Sequence, residues 1–140
     1  MKNILYIALM TFFVSCGTQK IIAYEYNIVT RGYKQNIKVN KKTIEIEANN
    51  SSSKNGPKKT TTVTSSELWT ALQDASKSIK LNEIGTLESP TNKRQFDGAM
   101  FGSLILTNED SIYTSAGFDH GHPPLMIKTI VDSLVKLGMK

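Results

Sequence analysis

Thiol chemistry is scarce in this sequence: Cys16 is the only cysteine. A single thiol excludes an internal disulfide framework and any cysteine-only zinc cage. Histidine is almost as rare, with His120 and His122 alone. The apolar run at the N-terminus, Ile4 to Val14, falls short of the roughly 20 residues a membrane-spanning helix needs. The sequence has no Gly-x-Ser-x-Gly elbow, no glycine-rich phosphate loop and no His-Glu-x-x-His, so three common enzyme signatures are missing. What remains is a chain of 140 residues, 39% hydrophobic and 21% charged. That is apolar enough for one folded core and too polar for an integral membrane protein.

The N-terminus reads as an address. Lys2 supplies a short positive segment, and Ile4 to Val14 has the length of a signal-peptide apolar region. It ends in Val14-Ser15-Cys16-Gly17. This stretch resembles the lipobox of bacterial lipoproteins, in its looser Bacteroidota-like form with Phe13 and Val14 ahead of the cysteine. The resemblance covers about the first seventeen residues and implies a signal peptide at 1–15. It also implies a covalent lipid on Cys16 and a short tether at 16–20. Each buried methylene contributes about 0.8 kcal/mol, so two or three acyl chains anchor stably where one does not. Gly17-Thr18-Gln19-Lys20 places no aspartate after the cysteine and no acidic run beyond it. In that family this pattern implies the periplasmic face of the outer membrane. Loss of Lys2 with the signal leaves 16 Lys+Arg against 12 Asp+Glu, a formal charge of +4.

The mature domain, 21–140, is expected to be a single α+β unit: an antiparallel sheet of about five strands in the order β-β-β-α-β-β-α, with two helices on one face. Ile22, Tyr24, Tyr26 and Ile28 alternate with Ala23, Glu25 and Asn27, the period of a half-buried strand. Tyr33–Val39 and Thr43–Ala48 form a hairpin around Asn40-Lys41, with Ile37 opposite Ile44 and Gln35 opposite Ile46. The polar segment Asn49–Lys59 reads as a loop, and Thr60–Val63 as a short extended piece. Thr64 and Glu67 fit a capping box ahead of the stripe Leu68, Leu72, Ala75 and Ile79, flanked by Trp69. Lys80–Asp97 reads as a long loop with a short strand near Ile84–Leu87. A second hairpin follows, with Leu106 opposite Ile112 across Asn108-Glu109-Asp110. Pro123-Pro124 opens the last helix, Ile127, Ile130, Val131, Leu134 and Leu137 form its buried stripe, and Gly138 ends it.

Two stretches carry chemistry. Asp119-His120-Gly121-His122 holds both histidines beside a carboxylate, where imidazole and carboxylate suit zinc or a related metal. A third ligand must then come from elsewhere in the chain, for example Asp97 or Asp110. The structural reading has Asp119 accepting from the N–H groups of Gly121 and His122 while the prolines fix the start of the helix. Lys93-Arg94-Gln95-Phe96-Asp97 sets a basic pair beside an aromatic, suited to an anion or a peptide carboxylate, or else a solvated loop with Phe96 in the core. Arg94, Asp97, Asp119, His120 and His122 are thus the candidate binding-loop residues. No catalytic set is assigned, and His120, His122 and Asp119 are the weak candidates for metal. Lys54, Lys58 and Lys59 lack interleaved aromatics and read as a solvated loop, not a nucleic-acid site.

These readings converge on a lipid-anchored envelope protein that is not an enzyme, has no cofactor beyond the lipid on Cys16, and binds an envelope protein or glycan. The alternatives are a metal-dependent envelope enzyme or metal-binding protein using the Asp119–His122 corner, and an immunity- or inhibitor-type lipoprotein.

Overall fold

The computed structural model describes residues 20–139, so the expected signal peptide, Cys16 and most of the expected tether lie outside the described residues. The chain is α+β. Seven strands, β1 (Ile21–Thr30), β2 (Tyr33–Asn40), β3 (Thr43–Asn50), β4 (Lys58–Val63), β5 (Phe101–Asn108), β6 (Ile112–Thr114) and β7 (Phe118–Asp119), form one sheet. The spatial order is β4-β3-β2-β1-β5-β6, with the short β7 also pairing with β5, and every pairing is antiparallel. The two strands beyond the expected five are β4, which takes in the expected extended piece Thr60–Val63 and the last two residues of the expected loop, and β7.

Alternation decides the faces. Tyr24, Tyr26, Ile28, Ile37, Val39, Ile44, Leu104 and Leu106 are buried on one side of the sheet. A register shift between Ile21 and Ala23 turns Ile21 inward and leaves Ile22 exposed. Both helices, α1 (Ser66–Ser76) and α2 (Lys128–Gly138), cover the apolar face. Leu72 of α1 is buried there, Trp69 meets the Tyr24 ring edge-on at 5.7 Å, and the Tyr24 hydroxyl lies 2.8 Å from Ser76 Oγ. Burial, only partly offset by that hydrogen bond, pushes the Tyr24 phenol up to about 12. Ile130, Val131 and Leu134 of α2 are buried against the same face.

Both hairpin registers differ from the expected ones. In β2–β3, Val39 pairs with Ile44 and Ile37 with Ile46, two residues from the expected pairing. In β5–β6, Leu106 pairs with Tyr113 and Thr107 with Ile112, one residue away, so Ile112 sits on the outer face. The cause is the same in each turn. Asn40 Oδ1 accepts from the N–H groups of Lys42 and Thr43, and Asn108 Oδ1 from those of Asp110 and Ser111. Each Asn thereby closes a two-residue loop and sets the register. A two-residue slip preserves the faces, whereas a one-residue slip exchanges them.

The helix boundaries shift too. Ser65, not Thr64, caps α1, its Oγ accepting from Leu68 N–H at 3.2 Å. Thr64 is buried and donates its hydroxyl to the Asn40 carbonyl at 2.8 Å. Glu67 still lies in the first turn, and its own backbone N–H and the Ser66 and Ser65 hydroxyls lower its pKa. Ser65→Ala is therefore expected to cost about 1 kcal/mol in urea unfolding; an unchanged midpoint would remove Ser65 as the cap.

Residues 80–97 contain no strand. Instead there are two 3-10 turns, Leu81–Thr86, which buries Leu81 and Ile84, and Lys93–Phe96, which buries no side chain. Pro124 precedes a 3-10 turn, Leu125–Ile127, and α2 begins only at Lys128. Gly138 is the last residue of α2, and the space explains it: a Cβ there would lie 2.7 Å from Ile37 Cδ1.

Candidate functional site

The Asp119 corner is built where β7 joins the start of β5. Phe118 pairs with Gly102 and faces inward, stacked on Tyr26 with ring centroids 6.0 Å apart. Asp119 is fully buried. Its carboxylate accepts from the Thr91 hydroxyl, from Lys93 N–H at 2.7 Å, from Arg94 N–H at 3.0 Å and from Arg94 Nη1 at 3.0 Å. Burial raises the pKa of this carboxyl. The hydrogen bonds from Thr91, Arg94 and Lys93 outweigh it, holding the group well below the usual carboxylate range.

This differs from the expected local cap. Asp119 does not accept from Gly121 or His122 with its side chain; the His122 N–H donates to the Asp119 backbone carbonyl at 2.8 Å, with Gly121 at φ +88° between them. The carboxylate instead holds the 91–94 segment, more than twenty residues earlier. The basic side chain expected to grip an anion, Arg94, does hold a carboxylate, and it is Asp119.

The other candidate residues do not converge. His120 Nδ1 lies 2.9 Å from the Tyr26 hydroxyl and its ring stacks on Tyr26 at 5.9 Å. Burial lowers the pKa of His120. Burial first and the Asp132 charge second raise that of Tyr26, so the neutral pair is favoured. His122 is exposed. Asp97 pairs with Arg31 at 3.1 Å, and Asp110 sits in the β5–β6 turn at the opposite end of the sheet. Among the described residues no three His, Cys, Asp or Glu side chains gather in a metal-holding group. Phe96, expected in the core, is 83% exposed.

Sequence reasoning missed a large concavity among the described residues. The helices cover β1 and β2 and stop short of β4, leaving a groove of about 880 Å³. Its floor is Ile44, Ile46 and Ala48 of β3, and Leu68 of α1 and Leu137 of α2 flank it. Thr60 and Thr62 of β4 line its outer side with hydroxyls, and Lys58 stands at one end. The inward alternation of Ile44 and Ile46 was legible; that the helices flank this part of the sheet and leave β4 open was not. The opposite sheet face is polar, with a shallow hollow of about 420 Å³ lined by Glu25, Asn27, Lys34, Asn36, Lys38, Glu47 and Asn49. Asn36 Nδ2 there donates to Glu25 Oε1 at 2.6 Å and Asn27 Oδ1 at 2.9 Å.

Chemically, the corner is self-satisfied: its one buried charge is matched by Arg94 and its donors are used internally. The groove is the feature with apolar surface left over for a ligand. No protein-family model matches the chain, and no curated protein matches it.

Proposed function

We propose that this chain is a bacterial lipoprotein: its signal is removed, Cys16 is acylated, and the domain is held at the periplasmic face of the outer membrane as a non-enzymatic binding module. The observation that carries the reading is the position of the sole cysteine, directly after an apolar run of signal length and beside Ser15 and Gly17. Support for a binding role comes from the groove over β3 and β4, apolar on its floor and open to solvent, beside a carboxylate corner that is satisfied from within. A groove of this make-up suits an apolar segment of an envelope protein or a glycan carrying an apolar group.

The anchor is tested at its nucleophile. Cys16→Ser removes the thiol that takes the diacylglycerol, so labelled palmitate incorporation should fall to background. The chain should either retain its signal or appear in the soluble fraction. Palmitate labelling that persists in the serine variant rules the anchor out. The binding role is tested by cross-linking at the groove in intact envelopes: a photo-reactive residue at Thr62 should capture a partner that one at Asn55 does not.

A further inference from the structure

We infer that the domain stands on the membrane by one defined end, the end of the sheet carrying the β2–β3 turn, with anionic phospholipid headgroups as its partner. The inference rests on the lipid-anchor reading above. Its first support is covalent reach. Only four residues, Gly17 to Lys20, separate Cys16 from Ile21, and the five steps between them extend at most about 18 Å. Ile21 opens β1 immediately afterwards, and it is buried and held: its carbonyl accepts from Gln73 Nε2 at 2.7 Å. An acylated Cys16 therefore draws the start of β1 to the bilayer surface.

The pairing registers say what else is at that end. Ala23 of β1 faces Asn40 at the close of β2, and Ile21 faces Asn108 at the close of β5. Val63 closes β4 opposite Thr43. The end thus gathers Lys20, Lys41 and Lys42, all exposed, with the exposed apolar side chains of Ile22 and Val63. Lysines beside protruding aliphatic side chains are the chemistry that meets a phospholipid headgroup layer. The neighbouring β5–β6 turn carries Glu109 and Asp110, so the domain leans with Lys41 and Lys42 toward the headgroups and the acidic turn away.

The other end of β1 lies ten residues on, roughly 30 Å at the usual strand rise. It carries the β1–β2 turn, residues 51–57, Phe101 and the Asp119 corner. That distance exceeds the Debye length of about 8–10 Å at physiological salt, so charges there do not sense the headgroups.

The test uses the full acylated chain in phosphatidylethanolamine–phosphatidylglycerol vesicles, with a fluorophore on an added thiol at Lys41→Cys or Asn55→Cys. Acylated Cys16 has no free thiol and stays unlabelled. Iodide, an aqueous quencher, is expected to reach the label at position 41 severalfold less well than that at 55. The two should quench alike in the soluble Cys16→Ser form. Equal quenching on vesicles, or greater shielding at 55, overturns the orientation while the acyl mass still upholds the anchor. A mature chain whose mass carries no acyl groups overturns both.

Discussion

Asp119→Ala is expected to be the most damaging single substitution outside the apolar core, lowering the melting temperature at neutral pH by about 10 °C. The carboxylate is fully buried and receives four donors. Its removal leaves the Arg94 guanidinium, itself only 17% exposed, with the neutral acceptors Ser89, Thr91 and Asn92 in place of its carboxylate, and leaves the Lys93 and Arg94 N–H groups without their acceptor. Breaking a buried pair by deleting one partner costs far more than the pair contributes over an apolar substitute. The pH dependence has a definite sign. Since the folded-state pKa lies below the ordinary 3.8, the unfolded chain binds the proton more readily. The stabilisation is complete above about pH 4 to 5 and is lost as pH falls through 3.8 toward the folded value. Calorimetric scans should therefore show the gap between native and variant protein widest at neutral pH and narrowing below pH 4. A gap that is absent at pH 7, or as wide at pH 2 as at pH 7, would sink this account of the corner.

Within the core, Ile130→Ala and Leu72→Ala should each cost about 2–5 kcal/mol in chemical denaturation, the usual range for emptying a buried aliphatic site. Both side chains are only 1% exposed, Ile130 beneath α2 and Leu72 beneath α1. Lys128→Ala is the matched control. Its Nζ lies 2.6 Å from Asp132 Oδ2, but the two side chains are 51% and 44% exposed, and pairs so wetted contribute under about 1 kcal/mol. If Lys128→Ala proved as costly as Ile130→Ala, the faces assigned to α2 would be wrong.

The corner shows why a site can be named from sequence and still be misread. Asp119 stood out because it neighbours both histidines, and the nearest donors in the chain were those of Gly121 and His122. The donors it uses, at 91, 93 and 94, come from a segment with no periodicity of its own. A carboxylate buried on folding takes whichever donors the tertiary packing brings, and nothing in local spacing announces them. The hairpin registers were nearer to legible. Asn40 and Asn108 each stand before two charged residues, a sign that their side chains would close two-residue loops.

The amino-acid sequence by itself determined the α+β class, the inward faces of β2 and β3 and of β1 from Tyr24 on, the burial of Leu72, Ile130, Val131 and Leu134 on the helices, and the place of the sole cysteine. All of these follow from period-2 and period-3.6 alternation or from a residue's unique position, which are local properties of the chain. Tertiary structure alone decided which donors neutralise Asp119, that Gly138 must pass close to Ile37, that Phe96 lies outside, and that β3 and β4 keep an uncovered apolar groove. Those outcomes depend on where one element ends relative to another in space, and side-chain pattern within an element carries no record of that distance.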